Sequence, residues 1–143
     1  MKLVIAFAAA ALLAGAASAA DSLLPKKKGH VEFLPVDQAF ELQPLERRDG
    51  KLIVSWRIAD RYYLYRDRLK FALADSKAPL AASLPAGQKH KDEYFGEVEI
   101  YRGTLRAELP HDGSGPVSLT VAYQGCADAG LCYPIQTRKL DAH

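Results

Sequence analysis

The chain has 143 residues, a length that fits one domain, and only two of them are cysteines. Its 19 basic residues nearly balance its 17 acidic residues, which excludes the strongly basic surface of a nucleic-acid-binding domain. Two cysteines also exclude a domain that is held together by a framework of several disulfides.

The first 19 residues have the pattern of a secretory signal peptide. Lys2 provides a basic start, residues 3–13 form an unbroken apolar run, and the small residues at 17–19 form a cleavage signal. The alternative is an uncleaved anchor, although the apolar run is shorter than a typical membrane span. We expect cleavage after Ala19, export of a soluble mature chain to an oxidising compartment, and a flexible lead-in at residues 20–30.

Beyond residue 30, apolar and polar residues alternate along several short segments. A period of two predicts strands with one buried face, and no long segment has the period of 3.6 that predicts a helix. Turn sequences at residues 49–50, 85–87 and 111–116 separate the segments. The pattern therefore predicts an all-β sandwich in which strand-like structure begins at Val31. The apolar positions are Leu52, Val54, Trp56 and Ile58; Leu69, Phe71 and Leu73; Val98 and Ile100; Leu105, Ala107 and Leu109; and Val117, Leu119, Val121 and Tyr123.

The two cysteines follow the end of the most regular of these segments. Five residues separate Cys126 from Cys132, and Gly130 between them can adopt a positive φ. The stretch can therefore close a hairpin loop and place the cysteines opposite each other, close enough to bond. Pro134 lacks a backbone donor, which suits a strand end or sheet edge. We expect the pair at one end of the sandwich, near solvent.

Spacing alone leaves three roles open for this pair. A disulfide that closes a loop of about seven residues stabilises a fold by roughly 2.4 kcal/mol, against about 4.7 for a loop of 100 residues. A structural disulfide and a redox-active one both remain possible, as does a metal site. The histidines are scattered, and we expect them to be surface residues rather than ligands or bases; they are His30, His90, His111 and His143.

The cysteine segment, residues 123–134, closely resembles the active-site segment of one protein family. This is the N-terminal periplasmic domain of DsbD, the thiol:disulfide interchange protein of Gram-negative bacteria. The similarity extends over residues 31–140, nearly the whole mature chain. Three further stretches are similar in the same order: residues 33–40, residues 56–66, and residues 92–96 together with 99–102.

The resemblance implies an immunoglobulin-like β-sandwich at residues 31–143 and an oxidoreductase that works in the periplasm. Such a protein-disulfide reductase accepts electrons from a thioredoxin-like domain or membrane reductase. It passes them to periplasmic disulfide isomerases or to a thioredoxin-like protein of cytochrome c maturation. Direct exchange between sulfur atoms needs no metal or organic cofactor. By position, Cys132 resembles the cysteine that forms the mixed disulfide with partners, and Cys126 resembles the resolving one.

A second group of residues resembles the surroundings of the family's cysteine pair. The segment of Asp92, Glu93, Tyr94 and Phe95 resembles the loop that covers the pair until a partner docks. Tyr63 and Tyr65 resemble aromatic residues packed beside the pair. A thiol next to the two acids would have a raised pKa, and an aromatic cover would block stray oxidants. The alternative is that Tyr94 and Phe95 are ordinary core aromatics.

The chain departs from the family pattern at four points. The covering aromatic is usually phenylalanine but is Tyr94 here, and the usual Pro-Pro after the second cysteine is Pro134-Ile135. Arg61 stands where glycine is common. DsbD continues into a membrane domain and a thioredoxin-like domain, whereas this chain stops at His143. It is therefore expected to be either a stand-alone paralogue or a fragment.

Two other functions compete with redox exchange. The main rival is a non-redox immunoglobulin-like binding module in which the hairpin disulfide is structural. The other is a copper or zinc binder that uses Cys126 and Cys132 as ligands.

Overall fold

The computed structural model describes residues 29–143. The expected signal peptide, residues 1–19, and all but the last two residues of the expected lead-in, residues 20–30, lie outside this range. Among the described residues, no helix has the length and apolar character that a membrane span requires.

Residues 29–143 form eleven β-strands, one four-residue helix and one short 3₁₀ turn. The all-β class predicted from the alternating pattern is therefore confirmed. The elements are α1 (Val36–Ala39), β1 (Phe40–Leu42), β2 (Glu46–Arg48), β3 (Lys51–Ile58), β4 (Tyr62–Tyr65), the 3₁₀ turn (Arg66–Arg68), β5 (Lys70–Leu73), β6 (Gln88–Asp92), β7 (Gly96–Tyr101), β8 (Thr104–Pro110), β9 (Val117–Tyr123), β10 (Gly125–Ala127) and β11 (Gln136–Ala142).

The strands form three antiparallel sheets. In the first sheet, β1 and β2 pair along one edge of β3 and β8 pairs along the other. The second sheet has the order β10-β4-β7-β6, and the third has the order β11-β9-β5. The backbone N–H of Tyr65 donates to the carbonyl of Gln124 at 3.0 Å, which joins the second sheet to the end of β9.

Trp56 connects the first sheet to the third across the core. It is fully buried on β3, and its ring lies 6.3 Å from that of Phe71 on β5 and 5.6 Å from that of Tyr123 on β9. Burying an aromatic or aliphatic side chain of this size contributes about 1.5–3 kcal/mol. Leu52 and Val54 are also buried, as the alternation predicts, but Ile53 on the opposite face is buried as well. Both faces of β3 are thus covered at that point.

Strand β4 separates the main core from a second apolar cluster. All four of its side chains are buried. Tyr62 and Leu64 pack in the main core, whereas Tyr63 and Tyr65 on the other face pack with Cys126. Because successive side chains point to opposite faces, one short strand serves both the core and the cysteine site.

The start of the domain differs from the strand expected from Val31 onward. Residues 36–39 are helical, and the strand begins only at Phe40. Pro35 provides the physical reason, because it has no N–H for a strand ladder while its carbonyl accepts the N–H groups of Gln38 and Ala39, each at 2.9 Å.

Two tight turns fix the ends of the central strands. Asp49 and Gly50 have φ values of 51° and 70° and form the turn between β2 and β3 that their sequence predicts. Arg61, before β4, has a φ of 65°. A left-handed conformation is unfavourable by about 1–2 kcal/mol for a residue with a Cβ, so glycine at this position would be unstrained.

Candidate active site

Cys126 and Cys132 form a disulfide at the end of the second sheet. Their Cα atoms are 4.0 Å apart, and they face each other as a single antiparallel bridge, as the spacing predicts. The loop between them is closed by hydrogen bonds from Ala127 N–H to Leu131 O at 2.7 Å and from Gly130 N–H to Ala127 O at 3.0 Å. Gly130 has a φ of 104°, in the region that favours glycine.

The position of Cys126 is set by the pairing of β10 with β4, in which Cys126 lies opposite Tyr63. Gly125 makes this pairing possible. A Cβ at residue 125 would overlap the backbone oxygen of Tyr63 and the ring of Phe40. The close approach of the two strands therefore requires glycine at this position.

The two sulfur-bearing residues differ in accessibility. Cys126 is 1% exposed, whereas Cys132 is only partly buried. Exchange requires an attacking thiolate to reach one sulfur of the bond. Cys132 therefore offers the accessible sulfur and Cys126 the protected one.

A buried carboxylate and two tyrosine hydroxyls lie next to the protected sulfur. Asp92 is 5% exposed, and no other charged residue among residues 29–143 is buried. Its Oδ2 atom accepts hydrogen bonds from the hydroxyls of Tyr63 at 2.5 Å and Tyr65 at 2.6 Å. The Tyr65 oxygen also lies 2.9 Å from Cys126 Sγ and 3.8 Å from Cys132 Sγ. Asp92 is thus connected to the disulfide through Tyr65.

The hydrogen bonds keep Asp92 charged despite its burial. Burial alone would raise its pKa, but bonds from Tyr63, Tyr65 and the backbone N–H groups of Tyr94 and Phe95 outweigh this and lower the pKa. Burial and the bond to Asp92 raise the pKa of Tyr63 to about 12. The same two causes raise the pKa of Tyr65. At neutral pH Asp92 is therefore a carboxylate, and Tyr63 and Tyr65 are neutral phenols.

Tyr94 and Phe95 form the turn between β6 and β7, and neither is a core residue. Tyr94 is 59% exposed and Phe95 is 42% exposed, so the alternative that they are ordinary core aromatics is wrong. The Phe95 ring packs edge-on against Tyr65 at 5.1 Å, and the guanidinium of Arg68 lies 4.6 Å from its centroid. The Tyr94 hydroxyl donates to Gly130 O at 3.2 Å, a bond that phenylalanine lacks.

A surface cavity of about 170 Å³ adjoins the accessible sulfur. Glu93 is exposed at its rim, while His90 is half-buried with its ring 4.9 Å from that of Tyr63. Folding of β6 thus places His90, which was expected to be a surface residue rather than a ligand or base, in the wall of this cavity. The cavity is lined by Tyr63, His90, Lys91, Asp92, Glu93, Tyr94, Ala127, Asp128, Gly130 and Cys132. Within residues 29–143, no group of three or more His, Cys, Asp or Glu side chains is arranged to hold a metal.

The sequence interpretation missed one ion pair at this site. Arg102, just after β7, forms a bidentate contact with Asp128 inside the cysteine loop, at 2.8 and 3.1 Å. Its guanidinium also lies 5.2 Å from the Tyr63 ring centroid. The position of Asp128 between the two cysteines was the available signal, but nothing in the sequence identifies its partner 26 residues away.

Fold and site together define a β-sandwich domain with one disulfide that adjoins a buried carboxylate. The chain belongs to the family of the N-terminal domain of the thiol:disulfide interchange protein DsbD, whose family model matches residues 30–143. The family resemblance drawn from the sequence motifs is thereby confirmed.

Relatives and solved structures agree with this assignment. The chain is 50% identical over 111 residues to DsbD of Pseudomonas fluorescens, covering 77% of this chain and 18% of the relative. It is 43% identical over 121 residues to DsbD 2 of Pseudomonas aeruginosa, covering 85% of this chain and 20% of the relative. The chain thus spans about a fifth of the length of these curated relatives.

Two Neisseria meningitidis structures share the fold. The DsbD N-terminal domain in the reduced form is 32% identical with a TM-score of 0.68, covering 76% of this chain and 88% of that one. The complex between the DsbD and PilB N-terminal domains contains a chain that is 33% identical with a TM-score of 0.63, covering 77% of this chain and 87% of that one. The predicted immunoglobulin-like sandwich is confirmed by this similarity.

Proposed function

We propose that this domain is a periplasmic thiol–disulfide exchange module that works through Cys126 and Cys132. It takes reducing equivalents from a thioredoxin-like donor or membrane reductase and passes them to periplasmic redox proteins, such as disulfide isomerases or a thioredoxin-like protein of cytochrome c maturation. One observation carries this proposal: a disulfide with one accessible sulfur and one buried sulfur that contacts a tyrosine hydroxyl. Membership of the DsbD N-terminal family supports it.

The exchange is a balanced transfer of two electrons and two protons. A donor thiolate attacks Cys132 Sγ, the disulfide breaks, and Cys126 leaves as a thiolate that takes up a proton. The second donor thiol then attacks the mixed disulfide and releases Cys132, so the donor is oxidised and this domain is reduced. In the next half-cycle Cys132 attacks an acceptor disulfide, and Cys126 resolves the resulting mixed disulfide.

Burial supports this division of roles between the cysteines. A macromolecular thiol can approach the partly buried Cys132, whereas Cys126 is shielded on β10 against β4. The resolving step needs no access from outside, because Cys126 acts on a sulfur that is already bound to its neighbour.

Asp92 and Tyr65 are proposed to restrain the reduced pair. Only the Tyr65 hydroxyl separates the Asp92 carboxylate from Cys126 Sγ. A negative charge on the Cys126 sulfur is therefore disfavoured. Cys126 therefore stays protonated and is slow to resolve a mixed disulfide that a small oxidant forms with Cys132. Glu93, exposed at the rim of the same cavity, adds to the negative potential.

Tyr94 and Phe95 are proposed to cover the pair between encounters. Their backbone N–H groups are held by Asp92, but their side chains make only weak contacts: the edge-on contact of Phe95 with Tyr65, the cation of Arg68 over the Phe95 ring, and one 3.2 Å hydrogen bond from Tyr94. Both rings are substantially exposed, so a docking protein can displace them without opening the core. The cover thereby distinguishes small thiols from protein partners.

Protein docking on this fold has a precedent in the meningococcal complex of DsbD and PilB N-terminal domains. The donor, the acceptors and the periplasmic location of this chain are part of the proposal. A signal peptide at residues 1–19 fits that location.

Trapping tests the proposal directly. With Cys126→Ser, the remaining Cys132 should accumulate as a mixed disulfide with a thioredoxin-like protein, identified by mass, whereas Cys132→Ser should not. The reduction potential of the wild-type pair should lie near those of thioredoxin-fold partners. A potential below about −300 mV together with no adduct would favour the structural-disulfide module and reject exchange.

A further inference from the structure

We infer that Arg102 is a positioning residue for the redox pair: its ion pair with Asp128 holds the cysteine loop, residues 126–132, in the bonding geometry after the disulfide has opened. This inference rests on the proposed function and extends it. Arg102 would thereby set the position of the thiol–disulfide equilibrium without contacting either sulfur.

The contact with the loop is a two-point one. Arg102 Nη2 donates to Asp128 Oδ1 at 2.8 Å, and Nη1 donates to Asp128 Oδ2 at 3.1 Å. Bidentate arginine–carboxylate pairs fix orientation as well as distance. Asp128 is the loop's single charged residue and lies two positions after Cys126. The ion pair therefore restrains the loop close to one of its cysteines.

The other side of Arg102 is attached to the buried strand β4. Its Nη1 atom lies 3.4 Å from the carbonyl oxygen of Tyr62, and its guanidinium faces the ring of Tyr63 at 5.2 Å. Both tyrosines are buried. Arg102 is followed by Gly103, whose carbonyl accepts the N–H of Ile58 at 2.6 Å. The cation therefore connects the cysteine loop to the strands β4 and β7 of the domain.

The remaining tethers of the loop are mostly backbone hydrogen bonds. Asp128 N–H donates to Arg61 O at 2.8 Å, and Tyr133 N–H donates to Gly125 O at 3.0 Å. These two bonds and the Ala127–Leu131 bond lie around the Cys126–Cys132 bridge and are not broken when the covalent bond opens. The ion pair adds a side-chain restraint that persists in the dithiol form.

The consequence for the equilibrium follows from the entropy of the loop. Opening the disulfide increases the conformational entropy of the loop, and this increase favours the dithiol. A restraint that survives opening reduces the gain and keeps one thiol close to the other, which favours the disulfide. The pair is then a stronger reductant, as a donor of electrons requires. Because exposed ion pairs contribute modestly, we expect about a threefold effect on the equilibrium constant.

Equilibration with glutathione measures this effect. Two glutathione molecules reduce one Cys126–Cys132 disulfide, giving two thiols and one glutathione disulfide, and alkylation with mass detection gives the reduced fraction. Arg102→Gln should lower the equilibrium constant for disulfide formation about threefold, which corresponds to a potential about 14 mV less negative. Asp128→Ala should shift it in the same direction, and the double variant should shift it no further than either single one.

The two single variants separate a restraint from a charge effect. Arg102→Gln removes a cation and Asp128→Ala removes an anion, so a direct effect on thiol ionisation would move their potentials in opposite directions. Arg57→Gln is the matched control, because Arg57 and Glu41 also form an exposed 2.8 Å ion pair, in the sheet that lacks the cysteines. Its potential should equal that of the wild type.

Thermal unfolding of the oxidised proteins verifies that each variant is folded. If Arg102→Gln does not fold, Asp128→Ala still tests the ion pair. Three results would each overturn the role of Arg102 while leaving the proposed exchange function standing. They are an unchanged equilibrium constant in the folded variants, shifts of opposite sign in the two single variants, and additive shifts in the double variant. Failure of the wild-type pair to exchange even when a thioredoxin-like protein is added to catalyse equilibration with glutathione would overturn the proposed function as well.

Discussion

The hydroxyl oxygen of Tyr65 lies 2.9 Å from the sulfur of Cys126. The same hydroxyl donates its proton to Asp92 at 2.6 Å, so the buried sulfur is separated from a buried carboxylate by one phenol. The single proton of this hydroxyl goes to Asp92, so the oxidised sulfur is in contact with the Tyr65 oxygen without a proton between them, whereas the Cys126 thiol formed on reduction can donate to that oxygen. Tyr65 can therefore keep Asp92 as its acceptor in both redox states and gains a donor when the disulfide is reduced.

Removing the Tyr65 hydroxyl should destabilise the oxidised domain more than removing an ordinary tyrosine hydroxyl. Tyr65→Phe loses a hydrogen bond to a charged group, for which about 1.5–3 kcal/mol is expected in denaturant unfolding. Tyr101→Phe is the control, because its hydroxyl donates to the neutral carbonyl of Pro85 at 2.7 Å and should be worth about 0.5–1.5 kcal/mol. Equal losses in the two variants would show that the Asp92 carboxylate is not held by Tyr65.

The stability of the domain should depend on the ionisation of Asp92 at acid pH. Its pKa is lowered in the folded state relative to about 3.9 in the unfolded chain. The stability that it contributes is therefore present above about pH 4 and is lost as the pH falls through the folded-state pKa. The difference in unfolding free energy between wild type and Asp92→Asn should accordingly shrink below about pH 4.

An exposed carboxylate provides the contrast for this pH dependence. Lys51 lowers the pKa of Glu108 through a surface hydrogen bond and ion pair. At about 0.5 M salt any effect of Glu108→Gln should be screened, while the Asp92 effect should persist because its partners are buried. If salt changed the pH range over which the Asp92→Asn difference shrinks, the low pKa of Asp92 could not be attributed to its buried hydrogen bonds.

Removal of the aromatic cover should speed oxidation of the reduced pair. If the cover is open for about a tenth of the time, then Tyr94→Ala combined with Phe95→Ala raises the rate of reaction with a small-molecule disulfide about tenfold. Tyr94→Phe, which loses only the bond to Gly130, should give a smaller increase. An unchanged rate in the double variant, measured by quenched alkylation, would reject the shielding role.

Gly125→Ala should disrupt the site through the backbone. The added Cβ would overlap the carbonyl of Tyr63 and the ring of Phe40, so β10 must move away from β4. Overpacking of this kind destabilises by about 1–3 kcal/mol. Gly29→Ala, where a Cβ meets no atom within 4 Å, is the control. A loss of stability no larger than that of the control would show that the two strands can separate freely.

The sequence by itself determined the alternating strands β3, β5, β7, β8 and β9, the turn at Asp49 and Gly50, and the facing of Cys126 and Cys132. These features depend on local periodicity and local backbone preferences, which neighbouring residues specify. Its motifs also identified the family, because twelve consecutive residues around the cysteines, residues 123–134, are distinctive.

Only the tertiary structure decided which sulfur is buried and what surrounds it. Tyr65 is 27 residues from Asp92 and 61 from Cys126, and Arg102 is 26 from Asp128. Such pairs meet because β4 lies between β10 and β7 in the second sheet. Sheet order and register are set by the packing of the whole core, so no local pattern specifies the hydrogen-bond partners of the redox pair.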